Sequence, residues 1–121
     1  MADQRNTLGA LGEKEAERYL KGQGYKIIEK NYRCKWGEID LIAQYNEFLI
    51  FIEVKTRNSS SNVNPLISLT RKKQKKLIQL GTYYLVSKNI SGMQPRFDVV
   101  SVVKDLSDQY SIEHLINAFT A

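Results

Sequence analysis

Residues 40–55, DLIAQYNEFLIFIEVK, predict a β-hairpin around which the rest of the chain is organised. Side chains alternate between the two faces of a strand, so Glu53 and Lys55 point the same way. A two-residue turn at 46–47 would place Asp40 opposite Glu53, and a slip of two residues would leave them diagonal neighbours on that face. The hairpin therefore gathers two carboxylates and an amine on an apolar surface, where buried charge must be paired or bound to a metal.

The composition predicts one soluble domain covering residues 1–121. The chain is 42% hydrophobic and 26% charged, which is ordinary for a globular protein. Its longest apolar run, 48–52, is far short of the ~20 residues of a membrane span, and the N-terminus lacks a secretory pattern, so we expect no membrane association. A single cysteine, Cys34, excludes an internal disulfide and a cysteine metal cluster, and a reducing cytoplasm is the expected compartment.

The charge balance favours a polyanionic partner. The net charge is +5, and five of the six residues in 71–76 are cationic: Arg71, Lys72, Lys73, Lys75 and Lys76. Such a segment can bind phosphates, but a solvated helix face explains it equally well. The segment gains meaning only if it borders the acidic cluster of the hairpin.

Hydrophobic periodicity and the positions of glycine and proline predict helices at 8–23 and 70–88. They also predict strands at 25–33 and 95–103, in addition to the hairpin. The tail 112–119 is predicted to be a short closing helix. A polar loop, 57–68, follows Lys55 and could act as a flap over the charged patch. Strands grouped together with helices on either side predict an α/β (α+β) three-layer sandwich with a mixed central sheet.

Two polar positions on the helices stay ambiguous at this level. Glu13 and Glu15 flank the apolar stripe of the first helix at similar angles, so periodicity does not choose between them. The stripe of the second helix extends back to Lys73 and Gln74, at the end where the helix dipole favours anions. A frayed first turn would explain the same pattern.

Oxygen-ligand metal chemistry is what these residue types fit best. His114 is the only histidine, so we expect a core or surface histidine rather than a member of a nucleophile pair or a zinc site. Asp40 and Glu53 can supply carboxylate oxygens to Mg²⁺, with Lys55 beside the metal to position a water or offset phosphate charge. The alternative is a structural Glu53–Lys55 ion pair with Asp40 facing solvent.

Asp40, followed by Glu53-Val54-Lys55 at the end of a hydrophobic strand, resembles the PD-(D/E)xK nuclease superfamily, whose members have a restriction-endonuclease-like fold. More specifically, the chain resembles the YraN family of bacterial proteins. The matching segments are Gly12-Glu13 with Ala16, Tyr19 and Leu20, and residues 24–25, 31–33, 37–43, 51–57, 73–74, 84–85, 96–100 and 117–119.

The resemblance implies a role for each candidate. Archaeal Holliday-junction resolvases of this superfamily carry a glutamate eleven residues before a Gly-aromatic pair, and that position here is Glu13. By the same resemblance Asp40, Glu53 and Glu13 would bind Mg²⁺ or Mn²⁺, Lys55 would be the catalytic lysine and Gln74 a helper. One departure is that isoleucine, not proline, precedes the motif aspartate.

The implied function is a metal-dependent nuclease that acts on structured or repair-associated DNA. Related resolvases act as homodimers, so a homodimer is one expected assembly. The alternatives are a nucleic-acid-binding module of the same fold without cleavage activity, and a protein-interaction domain. Phosphate contacts are expected from the cations that surround the site: Arg57, Arg71, Lys72, Lys73, Lys75 and Lys76.

Overall fold

A mixed five-stranded sheet lies between two helices in the computed structural model, which describes residues 7–59 and 69–120. The strand order is β1-β2-β3-β4-β5; β3 and β4 are parallel and every other neighbouring pair is antiparallel. This arrangement is a three-layer α/β sandwich, and the predicted fold class is confirmed. The elements are α1 Leu8–Gly22, β1 Lys26–Cys34, β2 Gly37–Tyr45, β3 Phe48–Asn58, α2 Arg71–Ser87, β4 Gln94–Lys104 and β5 Tyr110–Phe119.

Both helices begin at a threonine cap. Thr7 Oγ1 accepts a hydrogen bond from the Ala10 N–H, and Thr70 Oγ1 accepts one from the Lys73 N–H, each at 3.1 Å. A capping hydroxyl satisfies a backbone donor that has no partner within the helix, which fixes where the helix starts. Neither helix in the described ranges is long and apolar enough to cross a lipid bilayer.

Two apolar cores, one on each face of the sheet, hold the layers together. The alternation of β3 sends Phe51 towards Leu80 on α2, and sends Ile50 and Ile52 towards Leu20 on α1. Four of these five residues are at most 1% exposed and Phe51 is 2% exposed. The two helices therefore pack on opposite faces of the strand that carries Glu53 and Lys55.

The packing of α1 against β3 is especially close at one glycine. A Cβ on Gly12 would lie 2.6 Å from Thr56 Cγ2 and would collide with Thr56 Oγ1. The helix can approach the strand only because Gly12 has no side chain. This contact holds the N-terminal half of α1 against the end of β3 that follows the candidate site.

The predicted helix at 112–119 is wrong, because these residues belong to the edge strand β5. The β4–β5 register shifts between Phe97 and Val99, and Asn117 has a φ of 54°, so the strand contains a bulge. Strand alternation sends Ile112 to the α1 core, and sends Leu115 and Phe119, which lie an odd number of residues further along, to the α2 core. Apolar residues thus fall at i, i+3 and i+7, which imitates a helical stripe.

The loop predicted to act as a flap falls mostly outside the described residues. Within the predicted segment, Arg57 and Asn58 are the last residues of β3, and their backbone positions pair with Val103 and Lys104 of β4. Strand β3 is therefore longer than the hairpin pattern indicates. The flap itself stays a prediction.

Candidate functional site

The β2–β3 hairpin has the turn and register that the sequence predicts. Asn46 lies in the turn with a φ of 53°, a conformation that asparagine adopts more readily than most residues. The described backbone pairs run back from this turn to Leu41 and Ile52. Extending the register by one residue places Asp40 opposite Glu53.

At that position an aspartate side chain takes the place of a backbone pair. The Val54 N–H donates to Asp40 Oδ2 at 2.8 Å, and the carboxyls of Asp40 and Glu53 hydrogen-bond to each other. Asp40 is half-buried and Glu53 is 7% exposed. The candidate site therefore lies where β2 and β3 part, and its two carboxyls lie together on one face.

Burial and the repulsion of nearby carboxylates make Asp40 a weaker acid than an ordinary aspartate. Burial above all, and then the negative charges of Glu53 and Glu13, raise the pKa of Asp40 to about 7, against the lowering effect of the hydrogen bond from the Val54 N–H. The proton that Asp40 holds in this hydrogen bond is shared with Glu53 and relieves the repulsion between two like charges in contact. Such a pair is suited to a divalent cation, which can take the place of the shared proton.

Two lysines, from different elements, face the same oxygen of Glu53. Lys55 Nζ lies 3.4 Å and Lys73 Nζ 3.7 Å from Glu53 Oε2. Lys55 comes from the same strand and Lys73 from the first turn of α2. The Glu53–Lys55 ion pair of the alternative interpretation therefore exists, but Asp40 faces Glu53 instead of solvent.

Glu13 is the acidic residue of α1 that approaches this cluster. Burial raises its pKa, as do the nearby charges of Glu38 and Glu53, whereas a hydrogen bond with the Asn31 side chain lowers it. Glu15 instead pairs with Arg18 along the helix. Packing thus resolves what periodicity left open. Glu13 also lines a cleft of about 580 Å³ between the start of α1 and the β1–β2 hairpin.

The remaining candidates are distributed around α2. Gln74 is half-buried, and its Nε2 donates to the Leu69 carbonyl at 3.1 Å, so it supports the start of the helix. Arg71 and Lys75 line a second cleft of about 250 Å³ together with Gln74. The cations of this segment point in several directions, and Lys73 is the one whose amine reaches the acidic pair. The remaining two of the segment, Lys72 and Lys76, are exposed.

The residues present fit a metal held by two carboxylates. Asp40 and Glu53 supply hard oxygen donors, and Mg²⁺ commonly uses one or two carboxylates and completes its shell with waters. Within residues 7–59 and 69–120, no three acidic, histidine or cysteine side chains lie close enough to form a metal site by themselves. Glu13 as a third ligand therefore stays a prediction.

Sequence reasoning missed the contacts of three residues. The predicted phosphate contact of Lys73 stays a prediction, but its ion pair with Glu53 was not predicted, although the helical stripe that runs back to Lys73 was an available signal. Asn31 and Glu38 affect Glu13, and neither was predicted.

A second polar cluster is buried in the core around Asp98, and its role is to stabilise the fold. The buried Asp98 carboxylate accepts hydrogen bonds from Arg96 Nε at 3.0 Å, Arg96 Nη2 at 2.8 Å and the Asn117 N–H at 2.9 Å, and His114 Nε2 lies 2.7 Å away. Burial alone would raise the pKa of Asp98, but the hydrogen bonds from His114, Arg96 and Asn117 outweigh it and lower the pKa. Arg96 and Asp98 thus form a buried ion pair, and His114 is a core histidine packed against it.

Comparison with known proteins identifies the family. The profile of a family described as uncharacterised protein family UPF0102 matches residues 12–102. The chain belongs to the UPF0102 family. The match begins one residue before Glu13 and ends within β4, so it spans every candidate residue of the site, and the resemblance to YraN proteins is confirmed.

UPF0102 proteins resemble this chain over nearly its full length. A UPF0102 protein of Caldanaerobacter subterraneus is 42% identical over 118 residues, which cover 95% of this chain and 96% of that protein. One of Clostridioides difficile is 44% identical over 111 residues, covering 92% and 95%. One of Desulfosudis oleivorans is 42% identical over 121 residues, covering 100% and 96%. The family carries no assigned activity in its description, so function must be argued from the site.

Proposed function

We propose that this UPF0102 protein is a metal-dependent nuclease of the PD-(D/E)xK type that hydrolyses phosphodiesters in structured or repair-associated DNA. The observation that carries the proposal is the contact between the Asp40 and Glu53 carboxyls, with the amines of Lys55 and Lys73 on one oxygen of Glu53. A partly buried carboxyl with a strongly raised pKa, such as Asp40, is often found at a functional site.

The charges of the cluster suit a cation and then a phosphate. Two carboxylates and two ammonium groups balance when all four are ionised. A divalent cation held by Asp40 and Glu53 would leave a net positive charge, which attracts the negative phosphodiester. That cation, Mg²⁺ or Mn²⁺, would polarise the scissile phosphodiester and make an attacking water more acidic.

The two lysines would have different tasks. Lys55, on the same strand as Glu53, would hold the attacking water in place by a hydrogen bond. Lys73 approaches from α2 and would offset negative charge that builds up on the phosphate as the bond breaks, which is where preorganised charge contributes most. Glu13 would hold the water or a second cation from the side of α1.

The start of α2 would guide the substrate backbone into the site. Arg71, Lys72, Lys75 and Lys76 surround Lys73, and Arg57 follows Lys55 two residues later on the same face of β3. Lysine and arginine contacts to phosphate release counterions, so DNA binding should weaken steeply as salt increases. A protein-interaction domain would not show this dependence.

A cleavage panel tests the proposal. The purified full-length protein is incubated with single strands, blunt duplexes, flaps, forks and four-way junctions, as DNA and as RNA, in Mg²⁺, Mn²⁺ or EDTA. We expect metal-dependent cleavage of at least one branched or frayed DNA. Asp40→Ala and Lys55→Ala should each lower the rate by at least about a hundredfold.

The control is Lys26→Ala, which removes an exposed lysine at the start of β1, the end away from the β1–β2 turn. It should cut at the rate of the unaltered protein. Cleavage that survives both Asp40→Ala and Lys55→Ala would place the activity elsewhere or in a contaminant. Salt-sensitive DNA binding without any cleavage would favour the binding-module alternative.

A further inference from the structure

The turn between β1 and β2 carries an unusual pair of residues. Cys34 pairs with Gly37, so the two residues that turn the chain are Lys35 and Trp36. Two-residue hairpin loops usually contain glycine, asparagine or aspartate, because these adopt the required backbone conformations most easily. Here Gly37, with a φ of 143°, provides that freedom after the turn. The geometry of the turn therefore does not require a bulky aromatic residue at position 36.

Trp36 is presented to solvent with a cation beside it. The residue is 39% exposed, and Lys35 Nζ lies 4.9 Å from the centre of the indole ring. Single exposed aromatic residues are common on protein surfaces and carry no meaning alone. An aromatic ring joined to a cation, however, is the combination that proteins use to bind unpaired nucleotides, in which the ring stacks on a base and the cation contacts phosphate.

The tip is braced against α2 and is not a loose hairpin. A Cβ on Gly37 would lie 3.4 Å from Leu80 Cδ1, so the turn rests on the helix. The rings of Tyr32 and Tyr84 meet edge to face, with centroids 5.0 Å apart, and so tie β1 to α2. A held platform loses little conformational entropy when a base stacks on it.

The tip is also continuous with the candidate site. A shallow cleft of about 500 Å³ runs along residues 33–38. Arg33 and Glu38 line both this cleft and the larger one that contains Glu13. Trp36 precedes Asp40 by four residues, a path of roughly 13 Å along an extended strand. A strand of a few nucleotides could therefore touch both.

We propose that the β1–β2 tip is a base-stacking platform, on which Trp36 stacks against an unpaired base of a DNA strand whose backbone continues to Asp40 and Glu53. The inference rests on the proposed function, since it assigns that site a substrate class. It selects single-stranded or forked DNA over intact duplex, because a paired base is already stacked within its helix. Lys35 contacts the phosphate next to the stacked base.

Trp36 is the only tryptophan in the chain, so its fluorescence reports on this contact alone. The full-length protein is titrated in EDTA with a thymidine oligomer, with a fork that has thymidine arms and with a blunt duplex of equal length. Binding of each labelled DNA is followed in parallel by fluorescence anisotropy. We expect the single strand and the fork to quench Trp36 strongly as they bind, and the duplex to quench it weakly.

Substitutions measure how much the stacking contact of Trp36 contributes to the affinity for DNA. Trp36→Ala should weaken binding of the single strand and the fork about tenfold, which is typical of the loss of one stacked base, and leave duplex binding unchanged. Trp36→Phe retains a ring and should recover most of the affinity. The matched control is Tyr83→Ala, which removes from α2 an aromatic residue that is also 39% exposed and should have no effect. Circular dichroism checks that each variant is folded.

Failure of this inference and failure of the proposed function have different signatures. Full affinity of Trp36→Ala for single strands and forks, or equal losses in Trp36→Ala and Tyr83→Ala, overturns the platform even if the protein cuts DNA. Equal quenching by single strand and duplex overturns it as well. Conversely, Trp36-dependent binding without metal-dependent cleavage on any substrate supports the platform and refutes the nuclease.

Discussion

Replacing Asp40 by asparagine should make the metal-free protein more stable. Asparagine keeps an oxygen that can accept the Val54 N–H, so the bond at the point where β2 and β3 part is retained. What the substitution removes is a partly buried negative charge beside Glu53. Asp40→Asn would thus remove a proposed metal ligand and yet raise the free energy of unfolding. Such a trade-off is expected where a site holds like charges together for function.

The size and the pH range of the effect follow from the pKa of Asp40, which rises from 3.8 to about 7. The folded protein binds this proton more tightly than the unfolded chain. The resulting stability is therefore fully present below about pH 4 and is lost as the pH rises through about 7. A shift of this size corresponds to about 4 kcal/mol, and since Glu53 shares the repulsion we expect Asp40→Asn to gain about 2–4 kcal/mol at pH 8.

Urea unfolding in EDTA, followed by circular dichroism, measures this difference. The free energy of unfolding of Asp40→Asn should exceed that of the unaltered protein at about pH 8, and the two should agree to within about 1 kcal/mol near pH 4. The control Glu113→Gln removes an exposed carboxylate of β5 and should change stability by less than about 0.5 kcal/mol at either pH.

Saturating Mn²⁺ should reverse the order at about pH 8. A ligand at about a thousand times its Kd stabilises the form that binds it by about 4.1 kcal/mol, which exceeds the gain expected for the variant, and the variant has lost a metal ligand. The reasoning is refuted if Asp40→Asn is less stable than the unaltered protein at pH 8 in EDTA. It is refuted equally if the difference in stability is the same at both pH values.

Other substitutions test the site and the packing around it. Lys73→Ala should slow cleavage at least about tenfold because its amine reaches Glu53. Lys72→Ala, at the preceding position, should only lower the salt dependence of DNA binding, by the equivalent of about one phosphate contact. Gly12→Ala should lower the free energy of unfolding by about 1–3 kcal/mol because its Cβ would collide with β3, while Gly9→Ala, with no atom within 4 Å, should not destabilise the fold. Asp98→Asn should lower Tm by about 10 °C, measured by thermal unfolding, because it leaves a buried arginine without its counter-ion.

The alternation of residues along the strands and the identity of the turn residues were sufficient to predict the hairpin that carries the site. The alternation of residues 40–55 determines which side chains share a face, and the turn at Asn46 fixes the register. These features depend on neighbours in sequence. The relation of Asp40, Glu53 and Lys55 could therefore be predicted without knowledge of the rest of the chain.

The edge strand β5 shows where local rules fail. Both faces of β5 carry apolar residues, with Ile112 in the α1 core and Leu115 and Phe119 in the α2 core, and the resulting apolar spacing is that of a helix. Pairing with β4 decides the matter, and that pairing involves residues distant in sequence. Tertiary context commonly overrides a short periodic pattern in this way.

Side chains that enter the site from other elements were predicted only in part. Periodicity placed Glu13 and Glu15 on equal terms, and only the packing of α1 on β3 through Gly12 turns Glu13 inward. Lys73 reaches Glu53 because of where α2 crosses the sheet. Contacts of this kind depend on how helices dock, which a single sequence does not specify.

The central claim is that Asp40 and Glu53 hold a divalent cation, and calorimetric titration of Mn²⁺ tests it most directly. The account predicts that the unaltered protein binds Mn²⁺ at about pH 8, that binding weakens as the pH falls below about 7, and that Lys55→Ala binds at least as tightly. Asp40→Ala and Glu53→Ala, shown to be folded, should each abolish binding. Mn²⁺ binding that is unchanged in both variants, or absent in the unaltered protein, would contradict the account.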